Sequence, residues 1–331
     1  MSLQSVASEQ VLKSTDSAAG KGDEYVKTLR LPRGFPVLPS GWSTEWSTFR
    51  NASETKQLFQ VTHLRPGGGP RVALVVHGMG EHGGRYLHLA HYLGDAVDAV
   101  SCLDLPGHGR SEGLRGDIER FDSLTDDIAL AVGRTHEQFT KRFGKCELHL
   151  VGHSLGGHLV LRTALKHAGL PLASLTASAP FLGIKVKVPV IKKSAAILLS
   201  RIWGTLQLDT ELDAGLLSHD PEAVEAYRAD RLIHSKMTPR FFMQVQEAMK
   251  DTLSQTRGIE CPVMLQVAMQ DGVVDPDRAL DFFRNLDHSR KELKTYPQLY
   301  HEIYNELGKE LPLGDLRDWI ASHSQGPGSG E

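Results

Sequence analysis

Ser154 stands in Gly152-His153-Ser154-Leu155-Gly156, which fits G-x-S-x-G. A serine hydroxyl attacks an acyl carbon only when a base takes its proton. The base is usually a histidine held in one tautomer by a carboxylate. The pentapeptide carries weight only between a strand and a helix. Leu148, Leu150 and Val151 read as a buried strand, and Val160, Leu161, Ala164 and Leu165 fall on one helical face. The turn between them must strain Ser154 and expose its hydroxyl, and only glycine leaves room two residues to either side. The chain supplies its own control, because Gly109-Arg110-Ser111-Glu112-Gly113 also fits. That copy follows Pro106-Gly107, which is loop chemistry, and no amphipathic helix starts at Glu112. Ser154, not Ser111, is the candidate nucleophile.

With this motif the acid and the histidine follow the serine in the chain. Asp271 comes a short loop after a predicted strand over 262–267, at its carboxyl end. The rival Asp275 precedes Pro276 and reads as a helix N-cap with proline in the first turn. His301 lies in the loop after a predicted strand over 291–296, whereas His288 precedes that strand and His323 lies in the tail. Asp271 is thus the candidate acid and His301 the candidate base. The oxyanion needs donors. The N–H of Leu155, next after the nucleophile, is one. The N–H of Met79, in His77-Gly78-Met79-Gly80 after a predicted strand over 72–76, is the other. His77, His82, His108, His149, His153 and His158 suggest a metal, but H-E-x-x-H is absent and no metal is expected. Asp104 and His108 are expected to order their own loop by hydrogen bonds to backbone.

These residues must be positioned by strands that end where they stand. Apolar runs over 72–76, 99–103, before Ser154, 173–179 and 262–267 alternate with helical patterns over 85–93, 123–142, after Ser154 and 276–285. A strand over 291–296 and a helix over 303–321 close the series. Such alternation means an α/β fold with a mainly parallel sheet and functional loops at the strands' carboxyl ends. Segments 42–49 and 57–63 form a hairpin or edge pair. Residues 183–253 break the rhythm and are read as an inserted helical cap, with helices over 221–228 and 239–253. The expected organisation is a mobile tail over 1–38, a core over 39–182 and 254–322, the cap over 183–253, and a flexible tail over 323–331. In the cap, Ile191, Ala195, Leu198 and Ile202 recur at helical spacing beside Lys185, Lys187, Lys192, Lys193 and Arg201. This pattern has two readings: an apolar helix face closing over the site, with Leu198 and Ile202 against substrate, and an amphipathic surface that touches anionic membrane.

Composition narrows the classes. The chain has 331 residues, 40% hydrophobic and 23% charged, with 37 Lys+Arg against 40 Asp+Glu. That balance gives no reason to propose nucleic acid as a partner. Three cysteines, Cys102, Cys146 and Cys261, show no disulfide spacing and read as small buried hydrophobes. No secretory signal is visible, and no run reaches the roughly 18 apolar residues of a membrane span. A cytoplasmic protein, peripheral to membrane if the cap touches lipid, is expected; oligomeric state is not legible.

Together these motifs resemble the α/β-hydrolase superfamily, in its monoacylglycerol lipase and lysophospholipase-like branch. The carrying residues are His77-Gly78-Met79-Gly80-Glu81-His82 with Arg85-Tyr86, Asp104-x-x-Gly107-His108-Gly109-x-Ser111-x-Gly113, Gly152-His153-Ser154-Leu155-Gly156-Gly157 and Tyr300-His301-Glu302-x-x-Asn305-Glu306. The resemblance spans about residues 40–320. It implies a triad of Ser154, Asp271 and His301, an oxyanion hole of Met79 and Leu155, a cap over an acyl tunnel, and no cofactor. It also places Glu81 and Arg85 near the polar head group. Ala268 stands where the family often has Gly. Tyr304 stands where animal monoacylglycerol lipases carry a His near the glycerol, which brings this stretch closer to bacterial lysophospholipase-like members. The expected activity is hydrolysis of single-chain lipid esters through an acyl-enzyme. Alternatives are a short-chain esterase, an aminopeptidase-like amidase on the same triad, and a non-catalytic binding protein on the scaffold.

Overall fold

The computed structural model describes residues 22–185 and 199–324. Ten strands occur among them: β1 Ser43–Arg50, β2 Gln57–Leu64, β3 Arg71–Val76, β4 Ala99–Asp104, β5 Glu147–His153, β6 Ser174–Ser178, β7 Leu208–Asp209, β8 Lys236–Met237, β9 Val263–Ala268 and β10 Lys291–Tyr296. Eight form one sheet in the order β1-β2-β4-β3-β5-β6-β9-β10. β2 runs antiparallel to both β1 and β4, and every other pairing in this sheet is parallel. β7 and β8 form a separate antiparallel ribbon.

The apolar strands are continuous because both faces of the sheet are covered. Val72, Leu74 and Val76 of β3 join one core cluster, while Ala73 and Val75 join the other. β9 divides the same way, Val263, Leu265 and Val267 against Met264 and Ala268. The first cluster takes its helical side from Phe121–Phe143, Leu155–Lys166, Pro239–Ser254 and Pro276–Asn285. The second takes it from Leu89–Leu93 and Glu310–Ser322. Burial of this kind, at about 25 cal/mol per Å² of apolar surface, is the main force holding the layers together. No described helix is long and apolar enough to cross a membrane.

The structure departs from the sequence expectations in four places. Residues 22–38 are not a free tail: a short helix spans Gly22–Lys27, Tyr25 is buried against Phe59 at 5.7 Å between ring centroids, and Phe35 is buried beside His88. The expected helix over 85–93 is a 3₁₀ turn, Gly83–Tyr86, followed by Leu89–Leu93. The terminal helix begins at Glu310 rather than near 303. The preceding residues keep a loop because the buried Glu306 carboxylate accepts the amides of Tyr300, His219 and Leu307. Finally, Pro239–Ser254 is a core helix as much as a covering one. Its Phe241, Val245, Ala248 and Met249 join the first cluster. Ile191, Leu198, Lys187, Lys192 and Lys193 lie outside the described residues.

Tyr25→Ala tests whether the N-terminal helix belongs to the fold. Loss of this buried ring should lower unfolding stability by about 2 kcal/mol or more, read by urea denaturation. An unchanged midpoint would show that residues 22–27 contribute no packing.

Candidate active site

Ser154 follows β5 directly and precedes the helix Leu155–Lys166, with φ 55° and ψ −116°. A non-glycine residue pays for this region with roughly 1–3 kcal/mol of strain. The surroundings enforce it. The Ser154 N–H donates to the Ser178 carbonyl at 2.9 Å, and its own carbonyl accepts from Phe181 and His158. A Cβ at Gly152 would lie 2.3 Å from the Gly156 carbonyl oxygen, and one at Gly156 would lie 2.1 Å from that of Val76. The turn is therefore wedged against the end of β3, and only glycine fits at both flanks.

Asp271 and His301 come from the loops after β9 and β10, neighbours in the sheet. His301 Nε2 lies 2.8 Å from Ser154 Oγ, and His301 Nδ1 lies 2.6 Å from Asp271 Oδ2. The other Asp271 oxygen accepts the amides of Val273 and Val274 at 2.8 and 2.9 Å. The carboxylate thus has one oxygen fixed by backbone and one free for the imidazole. Burial alone would raise the Asp271 pKa, but the facing His301, its hydrogen bond and the two amides hold it below the usual carboxylate value. Burial alone would lower the His301 pKa, but the Asp271 charge and hydrogen bond, with Glu302 and Glu81 nearby, raise it above the usual imidazole value. Ser111 is engaged elsewhere: its buried hydroxyl donates to the Asp104 carbonyl and accepts the Phe59 amide. Asp275 caps the helix Pro276–Asn285 through the Asp277 amide.

The loop after β3 lies against the serine, since a Cβ at Gly78 would approach Ser154 Cβ to 3.1 Å. His77 fixes this loop. Its Nε2 accepts the Leu105 amide, so Nδ1 carries the proton and donates to the Gly78 carbonyl. Leu155 opens its helix, so its N–H has no intrahelical acceptor. Behind the loop, Glu81 accepts from the Gly78 amide, the Tyr86 hydroxyl and Arg85. Arg85 also forms a two-bond fork with Glu302, at 2.8 and 2.7 Å, and Glu302 accepts a further bond from Asn305. All three charged groups are buried. Burial opposes the Arg85 charge, yet the two carboxylates raise its pKa well above the usual value. Arg85 in turn leads the effects that lower the pKa of Glu302 against its burial.

A cavity of about 280 Å³ opens over Ser154 and His301. Its walls are mostly apolar, with Met79, Phe181, Ile184, Leu212, Leu217, Phe242 and Val273 among them, and Glu81, Tyr227 and His234 add a polar sector. Met79 and Glu81 both line the cavity. Arg85 lies behind the wall, within the carboxylate pair. Two expected substrate contacts are corrected. Ile202 is 74% exposed and is not part of the wall. Tyr304 is fully buried and turned away, with its hydroxyl donating to Gln266 Oε1 in the sheet. Leu198 falls outside the described residues. The sequence expectation gives no role to Glu302, which it names only within the motif around His301, and does not name Tyr227. Glu302 adjoins His301, a signal that a second carboxylate stood ready for Arg85; Tyr227 gave none. Among the described residues no group of three or more His, Cys, Asp or Glu is placed to hold a metal ion. His149, His153 and His158 instead pair with Ser174, Ser178 and Thr252.

The family model Hydrolase_4, described as serine aminopeptidase, S33, matches residues 70–308. The chain belongs to this family. This S33-type hydrolase is 28% identical to a monoacylglycerol lipase of Mycolicibacterium smegmatis over 78% of its own length and 91% of the relative's. It is 29% identical to an uncharacterized abhydrolase domain-containing protein of Dictyostelium discoideum over 74% of its length, but spans only 26% of that protein. The crystal structure of Paleococcus ferrophilus monoacylglycerol lipase superposes with a TM-score of 0.69 at 30% identity, covering 81% of this chain and 99% of the other. The S33-type chain thus has the α/β-hydrolase fold and is a hydrolase.

The raised His301 pKa gives a direct measurement. Titrated by NMR, the His301 ring should change protonation above the ordinary value of about 6.5. Asp271→Asn, which removes the stabilising charge, should move that midpoint down. Equal midpoints in the two proteins would show that Asp271 does not govern the imidazole.

Proposed function

We infer that the chain hydrolyses carboxylic esters of single-chain lipids, monoacylglycerol or lysophospholipid in type, through an acyl-enzyme on Ser154. The observation that carries this reading is the continuous hydrogen-bond chain from Ser154 through His301 to Asp271 at the floor of an apolar cavity. The relatives named monoacylglycerol lipase support the lipid side of it. In the proposed reaction, His301 takes the Ser154 proton as Oγ attacks the ester carbonyl. The carbonyl oxygen, now negative, is held by the Met79 and Leu155 amides. His301 returns the proton to the leaving alcohol, then activates water to release the fatty acid and restore Ser154. Asp271 stays ionised and holds the imidazole in the productive tautomer.

The family description raises the amidase alternative, and one feature weighs against it. An aminopeptidase needs an unpaired carboxylate to receive the substrate's ammonium group. Of the carboxylates that line the cavity away from Asp271, Glu81 and Glu302 already share the Arg85 guanidinium, and Asp209 pairs with Lys236. Residues 183–253 act as the cap in this reading, because the described ones among them supply most of the apolar wall. The exposure of Ile202 and Trp203, 74% and 60%, supports a peripheral membrane contact on the same segment.

Ser154→Ala should lower kcat by several orders of magnitude, since triad members act as a unit. Ser111→Ala should remain within about tenfold of wild type because Ser111 only ties its loop. Full activity of Ser154→Ala would remove the nucleophile assignment. Against a graded series of p-nitrophenyl esters below micelle formation, each added methylene should contribute up to about 0.8 kcal/mol until the cavity is filled. Preference for acetate over decanoate would replace the lipid reading with a short-chain esterase.

A further inference from the structure

Three parts must meet at the reacting carbonyl: Ser154, the amide of the 77–82 loop and the His301 imidazole. Ser154 is locked by its strand, turn and helix. The other two sit on loops after different strands, β3 and β10, four places apart in the sheet order. Oxyanion donors act only at about 2.7–3.1 Å, so the loops' spacing has to be fixed by something.

One stretch of the cap touches both. At its start, the Leu217 carbonyl accepts the Glu302 amide at 2.8 Å. Ser218 Oγ donates to the Asn305 carbonyl at 3.0 Å and to Glu306 Oε2 at 3.2 Å, and the His219 amide donates to the same carboxylate at 2.9 Å. At its end, the His234 amide donates to the Gly80 carbonyl at 2.9 Å. Gly80 has φ +76°, and a Cβ there would lie 2.3 Å from the His234 carbonyl oxygen. His82 Nδ1 accepts the Gly84 amide, so its Nε2 carries the proton and donates to Asp230 Oδ2 at 3.0 Å. The helix Pro221–Ala229, N-capped by Asp220, runs between the two ends. Its Tyr227 lies over Arg85, 5.0 Å from guanidinium carbon to ring centroid, and Arg85 joins Glu81 of one loop to Glu302 of the other.

We propose that residues 217–234 are a brace that sets the spacing of the oxyanion loop and the His301 loop, with Asp230 and Ser218 as positioning residues. It rests on the serine-hydrolase reading above and adds to the cap a part in the chemistry itself. Neither Asp230 nor Ser218 is among the residues lining the cavity, so neither acts by touching substrate. A misplacement near 1 Å costs about a hundredfold in rate, so a loosened brace should appear in kcat rather than KM.

The test uses the full chain and a small soluble ester, p-nitrophenyl acetate, whose acyl group needs no tunnel. Asp230→Ala should lower kcat by about tenfold or more with KM within about threefold, and Asp230→Asn, which keeps an acceptor for His82, should recover most of the loss. Ser218→Ala should lower kcat by about threefold or more and serves as the test if Asp230→Ala does not fold. Amide hydrogen exchange without substrate should quicken over residues 77–84 in Asp230→Ala and over 300–307 in Ser218→Ala, with β5 unchanged. The brace is overturned if kcat stays within about twofold and exchange is unaltered, or if only KM for long-chain esters rises. Because exchange needs no turnover, it decides the brace even where wild type cleaves no ester, an outcome that would sink the hydrolase reading alone.

Discussion

The site depends on one forced turn. β5 delivers the chain to Ser154 in a conformation that a serine does not adopt freely, and the helix Leu155–Lys166 starts at once. The strain persists because the neighbouring backbone leaves no alternative: Gly156 is packed onto the carbonyls of Val76 and His77, and the Ser154 amide is tied to β6. That close approach requires β3 and β5 to be adjacent, parallel and in register, which they are from Arg71↔Glu147 to Val76↔Gly152. It also aligns the carboxyl ends of β3, β5, β9 and β10, so the loops they launch converge on one side of the sheet.

Around this fixed point the chain keeps an expensive set of buried groups. Glu81, Arg85 and Glu302 each lose their hydration, and a buried ion pair is often no more stable than apolar residues of similar volume. What this set supplies is geometry. Glu81 grips the Gly78 amide, Glu302 adjoins His301, and Arg85 holds the two carboxylates together. Its summed charge, one cation against two anions, also helps raise the His301 pKa. Packing energy thus comes from the apolar layers on both sheet faces, while the buried polar network spends part of it on alignment.

Much of this was legible in the sequence, for physical reasons. Apolar runs without alternation announced strands covered on both faces, and the division of Val72–Val76 between two cores is the observed form of that pattern. Ser154 differs from Ser111 in having a strand before it and a helix after it, whereas Ser111 closes a loop onto the Phe59 amide. Asp271 and His301 each follow a strand's carboxyl end, a position readable from the strand patterns before them. What stayed hidden was tertiary. Tyr304 shows no sign in the sequence that its hydroxyl turns inward to Gln266. The Gly22–Lys27 helix is too short to show periodicity and is defined by Tyr25 meeting Phe59. The Pro239–Ser254 helix reads as cap from its place in the chain, yet it buries its apolar face in the main core.

In the proposed triad, His301 and Asp271 activate Ser154 and no other serine. Covalent capture tests it most directly: incubation with a fluorophosphonate, digestion, and mass spectrometry of the modified peptide. A single adduct on Ser154 is expected, formed rapidly in wild type and slowed by orders of magnitude in His301→Ala. An adduct on Ser111 or another residue, or labelling of Ser154 that does not depend on His301, would contradict it.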